Sequence, residues 1–191
     1  MRALLLKHFN TIWIVLVLLC AALMFANPDW VTRESISSFL NGLGALALLV
    51  YIVLSLTRAL LMIPCTPFVL AGGISFPDMP LVVMLVSFAG IAAGASLVYS
   101  FPAFGSYDEY LEERYPDKIA WLKEKLHGPY AFWIIAGWSC FPLVPTDAIC
   151  YVAGLVKISY KKLVTAVIIG EIPLVTIYVY LGVELGEWLR I

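Results

Sequence analysis

Two carboxylates, Asp147 and Glu171, fall inside stretches of the chain that are otherwise apolar. A charge in hydrocarbon costs at least roughly 2.5 kcal/mol on the insertion scale, so each needs a partner, water or a proton. Burial raises a carboxyl pKa, and an acid that titrates near neutral pH could couple transport to protons. Arg58 is the natural partner or a contact for a lipid headgroup; the alternative is an interfacial arginine that snorkels to water. Thr66-Pro67 and Pro145-Thr146-Asp147 both read as helix starts, with proline in the first turn and Thr or Asp as cap. A helix that starts within a membrane turns unsatisfied N–H groups and a partial positive charge toward the gap, an end that suits a phosphate. If the two starts approach each other, they form a polar groove across the bilayer. Otherwise Thr66, Thr146 and Asp147 only cap their own helices.

The elements that would hold these residues carry the same punctuation twice. Pro64-Cys65-Thr66-Pro67 runs into Ala71-Gly72-Gly73, and Pro142-Leu143-Val144-Pro145 runs into Ala153-Gly154. Each is followed by an apolar run with a further glycine, Gly90 after Gly73 and Gly170 after Gly154. Proline removes a helix hydrogen bond, and the freed backbone groups survive in lipid only beside protein or water. Broken segments at corresponding positions of two halves point to a transport site.

The chain has 191 residues, 62% of them hydrophobic and only 13% charged, with mean hydropathy +0.95. Soluble domains carry roughly a quarter charged residues, so this is an integral membrane protein. The expected fold is all-α and polytopic, with about four transmembrane helices and two facing re-entrant helical hairpins in an inverted repeat. The crossings are 11–26, 35–57, 80–101 and 163–185, the last bent at Pro173; the first resembles a signal peptide but reads as an uncleaved anchor. Residues 1–58 hold the N-terminal helices, 59–185 the hairpin domain and 186–191 a tail. The hairpins span 59–78 and 130–156. Gly90-Ile-Ala-Ala-Gly94 offers a small face for close backbone approach. Segment 105–128 reads as an interfacial amphipathic helix, with Asp117 as cap and Ile119, Leu122 and Leu126 on one face. Asp108, Glu109, Glu112 and Glu113 read as a solvated acidic face, and Cys20, Cys65, Cys140 and Cys150 as reduced thiols.

Ile63-Pro64-x-x-Pro67-x-x-x-Ala71-Gly72-Gly73, His127-Gly128, Pro142-Leu143-Val144-Pro145-Thr146-Asp147, Tyr151-Val152-Ala153-Gly154 and Gly170-x-x-Pro173 together resemble the SNARE-associated Golgi protein family, which includes the bacterial DedA (VTT-domain) proteins. The resemblance runs from about Ile63 to Gly182. Ser139 stands where related sequences carry an arginine, and Phe68 and Val69 stand where other DedA proteins carry an acid, so proton coupling is not carried over from them. The resemblance implies facing re-entrant hairpins and movement of phospholipids or polyprenyl-phosphate carriers. It also implies a multi-pass protein of the plasma (inner) membrane of a prokaryote.

The expected function is ATP-independent lipid scrambling or translocation. The expected path is lined by Arg58, Pro64, Thr66, Pro67, Gly72, Gly73, Pro142, Pro145, Thr146, Asp147, Gly154 and Glu171. Membrane lipids are the expected partners, homo-oligomerisation is open, and neither cofactor, metal nor nucleic acid is expected. The alternatives are a proton- or ion-coupled carrier for a small solute, with Asp147 and Glu171 binding the coupling ion, and a non-transporting membrane scaffold. Catalysis is not expected: His8 and His127 lie at membrane edges, and the chain has no H-E-x-x-H, G-x-S-x-G or P-loop sequence.

Overall fold

Proline and glycine set where the helices of this chain begin and end. The computed structural model of the protein describes residues 15–16, 18–20, 22–23, 26–61, 63–103, 107–142 and 144–189, and every regular element among them is helical. The α-helices are α1 (Arg33–Gly42), α2 (Ala47–Thr57), α3 (Thr66–Ser75), α4 (Pro80–Ser100), α5 (Tyr107–Arg114), α6 (Pro116–His127), α7 (Ala131–Ser139), α8 (Thr146–Leu155) and α9 (Tyr160–Leu189). Among the described residues, α4 and α9 are the two helices long and apolar enough to cross a membrane, as expected for the crossings at 80–101 and 163–185. Half of the expected 11–26 crossing lies outside the described residues. The 35–57 crossing is instead two helices, because Gly44 takes a left-handed φ of 53° between α1 and α2. Helix α9 runs through Pro173 and continues past the expected boundary at 185.

The chain divides into two compact units, residues 17–94 with 172–191, and residues 95–171 with 1–16. In the first, Thr32 caps α1 by accepting the Ser35 N–H at 3.1 Å. Helix α1 buries Ile36 and Leu40 and packs against α3. The small face of α4 works as its sequence suggests: Gly90 lies against the Ser55 carbonyl, and Gly94 against the Ala59 methyl.

In the second unit, α7 buries Ala131, Ile135, Ala136 and Ser139. Gly170 of α9 lies against the Ala136 carbonyl and the Ser139 Cβ, and Gly154 of α8 against the Tyr99 carbonyl. Helices α5 and α6 replace the single amphipathic helix expected over 105–128. The N-cap of α6 is Tyr115, so Asp117 sits in the first turn rather than at the cap. Ile119 and Leu126 are buried while Trp121 is exposed, so part of the α6 apolar face is covered by protein.

The acidic run is not uniformly solvated either. Asp108 is buried and pairs with Lys157 Nζ at 2.9 Å, while Glu112 pairs with Lys123 at 2.5 Å. Lys157 follows α8 with a left-handed φ of 57°. Its N–H bonds the Gly154 carbonyl and that of Ile158 bonds the Ala153 carbonyl, a Schellman stop at a position that normally takes glycine. The Lys157 ammonium holds the Asp108 carboxyl below its ordinary range, and Asp108 in turn raises the lysine.

The two breaks belong to corresponding elements. Thr66 and Thr146, Pro80 and Tyr160, and Gly90 and Gly170 are separated by the same number of residues. Helices α3 and α8 both have 10 residues. In each unit a glycine at the same depth of the following helix packs on the short helix that precedes the break.

Gly154→Leu and Gly170→Leu meet backbone that cannot yield, and each should lower the thermal midpoint of the detergent-solubilised protein, with a cost on the order of 1–3 kcal/mol. Gly137→Ala, with nothing within 4 Å of an added Cβ, should not lower it. The lowered Asp108 pKa contributes stability that is present above the ordinary carboxylate range and lost as pH falls through the lowered value. The raised Lys157 pKa contributes stability lost only as pH rises through that raised value. The midpoint should therefore be flat around neutral pH and fall in acid, with part of the acid fall removed by Asp108→Asn. In that background Lys157→Gly should raise the midpoint, because left-handed strain is relieved with no ion pair left to lose.

Candidate functional site

The break in the second unit begins where α7 runs out of apolar packing. Helix α7 ends at Ser139, and the Cys140 N–H still reaches the Ala136 carbonyl. Phe141 N–H bonds the Trp138 carbonyl at 3.2 Å, and Val144 N–H bonds the Phe141 carbonyl at 3.2 Å. Pro142 and Pro145 have no N–H to offer, and both are exposed. The Trp138 indole donates to the Pro145 carbonyl at 3.2 Å, closing the link from the α7 side.

Pro145, not Thr146, is the N-cap of α8, and it makes no side-chain cap bond. The Thr146 hydroxyl donates to Glu171 Oε1 at 2.6 Å instead. Glu171 is 4% exposed. Asp147 is half-buried in the first turn of α8, and Cys150, one turn on and fully buried, lies within electrostatic reach of both carboxylates. Ser139, at the arginine position of related sequences, is fully buried and its Oγ has no hydrogen-bond partner. Thr146, Asp147 and Glu171 are thus assembled by the start of α8 and the middle of α9. Gly154 serves close packing at the far end of α8.

The break in the first unit is closed by Arg58. Its backbone N–H bonds the Leu54 carbonyl, its backbone carbonyl accepts from Ile63 N–H at 3.2 Å, and its guanidinium Nη1 donates to the Ile63 carbonyl at 2.8 Å. Side chain and backbone of one residue thereby hold both polar groups of the residue before Pro64. Within its own unit the guanidinium thus meets Ile63, only a turn away. Pro64 is exposed and Pro67 sits in the first turn of α3, whose N-cap is Cys65, again without a side-chain cap bond. Thr66 is therefore no more a cap than Thr146 is. Gly72 lies against the Tyr51 hydroxyl and Val83, and Gly73 against the Val179 carbonyl and Gly182.

Sequence reading missed Tyr51, Ser55 and Ser87, and it singled out Ser139 only as a departure from related sequences. Tyr51 and Ser55 precede Arg58 at helical spacing, which is a legible signal of a polar stripe. Ser87 carries none, because an isolated serine in an apolar helix is common and only its neighbours distinguish it.

A family model described as the VTT domain matches residues 63–184, more than half of the chain. No curated protein and no solved structure gives a significant match. The matched segment starts at the residue that Arg58 clasps and ends within α9, so it contains both proline breaks, the Thr146–Glu171 bond and, among the described residues, both apolar spans long enough to cross a membrane. The chain belongs to the VTT-domain family, the SNARE-associated Golgi protein and DedA family of membrane proteins.

Proposed function

We propose that this protein moves lipids between the leaflets of a membrane without ATP, as a scramblase or translocase of phospholipids or polyprenyl phosphates, in the plasma membrane of a prokaryote. The observation that carries the reading is the repeated break. In each unit a helix stops, a proline-bearing link follows, and a ten-residue helix begins whose N-cap residue makes no side-chain cap bond. The positive end of the helix dipole at each start suits a phosphate that crosses while its acyl chains stay in hydrocarbon. In this reading α2–α3 and α7–α8 act as re-entrant hairpins, and membrane lipids are the partners.

A second reading, an ion-coupled carrier for a small solute, draws on Glu171, a buried acid tied to the start of a broken helix. The two differ in what Glu171 must do. In a scramblase it orients Thr146, and Glu171→Gln retains an acceptor for that hydroxyl. In a carrier it binds the coupling ion, and Glu171→Gln abolishes transport.

The test is dithionite quenching of fluorescent phospholipids in proteoliposomes. Wild-type protein should extend quenching from the outer leaflet to nearly the whole pool, and Glu171→Gln should preserve it. Thr146→Val should slow it roughly tenfold, since a hydrogen bond to a carboxylate is worth about 1.5–3 kcal/mol. Pro145→Ala should slow it without unfolding the protein. Quenching that stops at the outer leaflet for each phospholipid, together with failure to move a labelled polyprenyl phosphate, contradicts the lipid reading. Gradient-driven solute uptake lost in Glu171→Gln supports the carrier.

A further inference from the structure

Arg58 carries more donors than the clasp on Ile63 uses. A guanidinium has five N–H groups, and a single one is engaged by the Ile63 carbonyl at 2.8 Å. The side chain is nonetheless 8% exposed. Among the described residues of its unit, no carboxylate lies within ion-pair distance of it. Burying a guanidinium is costly unless its N–H groups are satisfied, and more so in hydrocarbon.

The same face of the helix bears two further polar groups. Tyr51, Ser55 and Arg58 succeed one another at helical spacing, and Tyr51 and Ser55 are buried at 1% and 3% exposure. The Tyr51 hydroxyl meets Ser87 Oγ at 3.3 Å, and Ser87 donates its own proton to the Val83 carbonyl at 2.7 Å, so Tyr51 is the donor of that pair. Ser55 Oγ, one turn on from Tyr51, is buried and makes no hydrogen bond among the described residues. An uncommitted hydroxyl proton and an incompletely used guanidinium therefore share one buried helix face. Both are donors, which selects an acceptor-only, negatively charged ligand. Guanidinium N–H pairs match the oxygens of a phosphate in spacing and plane, whereas a lysine presents only a point charge.

We propose that Ser55 and Arg58 form a buried oxyanion site that takes the phosphate of a lipid headgroup. The proposal rests on the lipid reading above for its ligand and assigns the phosphate of that ligand to two named side chains. It does not depend on the family match, which begins at residue 63 and contains neither side chain. Tyr51 is a positioning residue, held by Ser87 and by the ring of Phe76, whose centroid is 5.6 Å away.

The test is equilibrium binding to the full chain in detergent by native mass spectrometry. The probes are dioctanoyl phosphatidylglycerol, dioctanoylglycerol with the same tails and no phosphate, and inorganic phosphate as competitor. The phospholipid should bind at least tenfold more tightly than dioctanoylglycerol. Ser55→Ala should weaken it severalfold, Arg58→Gln at least tenfold, and Arg58→Lys by an intermediate factor, with dioctanoylglycerol unaffected in each. Competition by inorganic phosphate would show that the bare oxyanion suffices; failure to compete would show that the headgroup must arrive on its lipid. Either agrees with the site. Because Arg58 also closes the break, Arg58→Gln is read only if it stays monodisperse and helical, and Ser55→Ala decides the matter otherwise. Equal affinity for the two lipids, or phospholipid affinity unchanged in Ser55→Ala and in any folded Arg58 variant, overturns the site. Wild-type scrambling with phosphate-indifferent binding defeats the oxyanion site alone. Phosphate binding that depends on Arg58 and Ser55 without scrambling defeats the transport reading alone.

Discussion

In a membrane the backbone groups released by a proline cannot turn to water, so the protein itself must supply their partners wherever a helix is broken. At the first break a single residue does so. Arg58 accepts the Ile63 N–H with its carbonyl and donates to the Ile63 carbonyl with its side chain. At the second break the work is divided among the Trp138 indole, which reaches the Pro145 carbonyl, and short turns through Phe141 and Val144. These contacts fix the points at which α3 and α8 can start. The starts in turn decide which side chains stand in the first turn of each helix, and hence what chemistry the breaks can present.

The corresponding elements do not carry corresponding chemistry. Thr146 donates to Glu171, whereas the positions that match them by spacing are Thr66 and Ile91, and isoleucine has no acceptor. The first unit instead buries a cation, Arg58, and a set of hydroxyls at Tyr51, Ser55 and Ser87. One architecture of short helix, proline link, ten-residue helix and long helix therefore holds an acidic centre in one unit and a basic one in the other. Close glycine contacts at Gly90 and Gly170 make the architecture common to both, since a larger side chain at either place would meet main-chain carbonyl oxygen.

Much of this architecture was legible because proline and hydropathy act locally. The expected crossing at 80–101 agrees with α4 to within one residue, and both P-x-x-P sequences coincide with breaks. The α1–α2 break was missed because average hydropathy over 35–57 hides Asn41, Gly42 and Gly44, which together are a turn signal. Thr146 and Glu171 were both singled out, but not as each other's partners: local capping is the default for a threonine at a helix start, and a carboxylate 25 residues away outcompeted it. Asp108 read as one more member of a solvated acidic run, and its burial depends on Lys157, whose left-handed conformation no local pattern announces. Tertiary partners account for these misses, while secondary structure and its interruptions were open to direct reading.

The central claim is that a lipid headgroup visits the start of α8. Incorporation of a photoreactive benzoyl-phenylalanine at Thr146 in the liposome-reconstituted chain tests it most directly, with the exposed Trp133 position as control and adducts resolved by mass spectrometry. The account predicts adducts at position 146 joined through the headgroup or glycerol of a phospholipid, and adducts at position 133 joined through acyl chains. Adducts at position 146 joined only through acyl chains would contradict it.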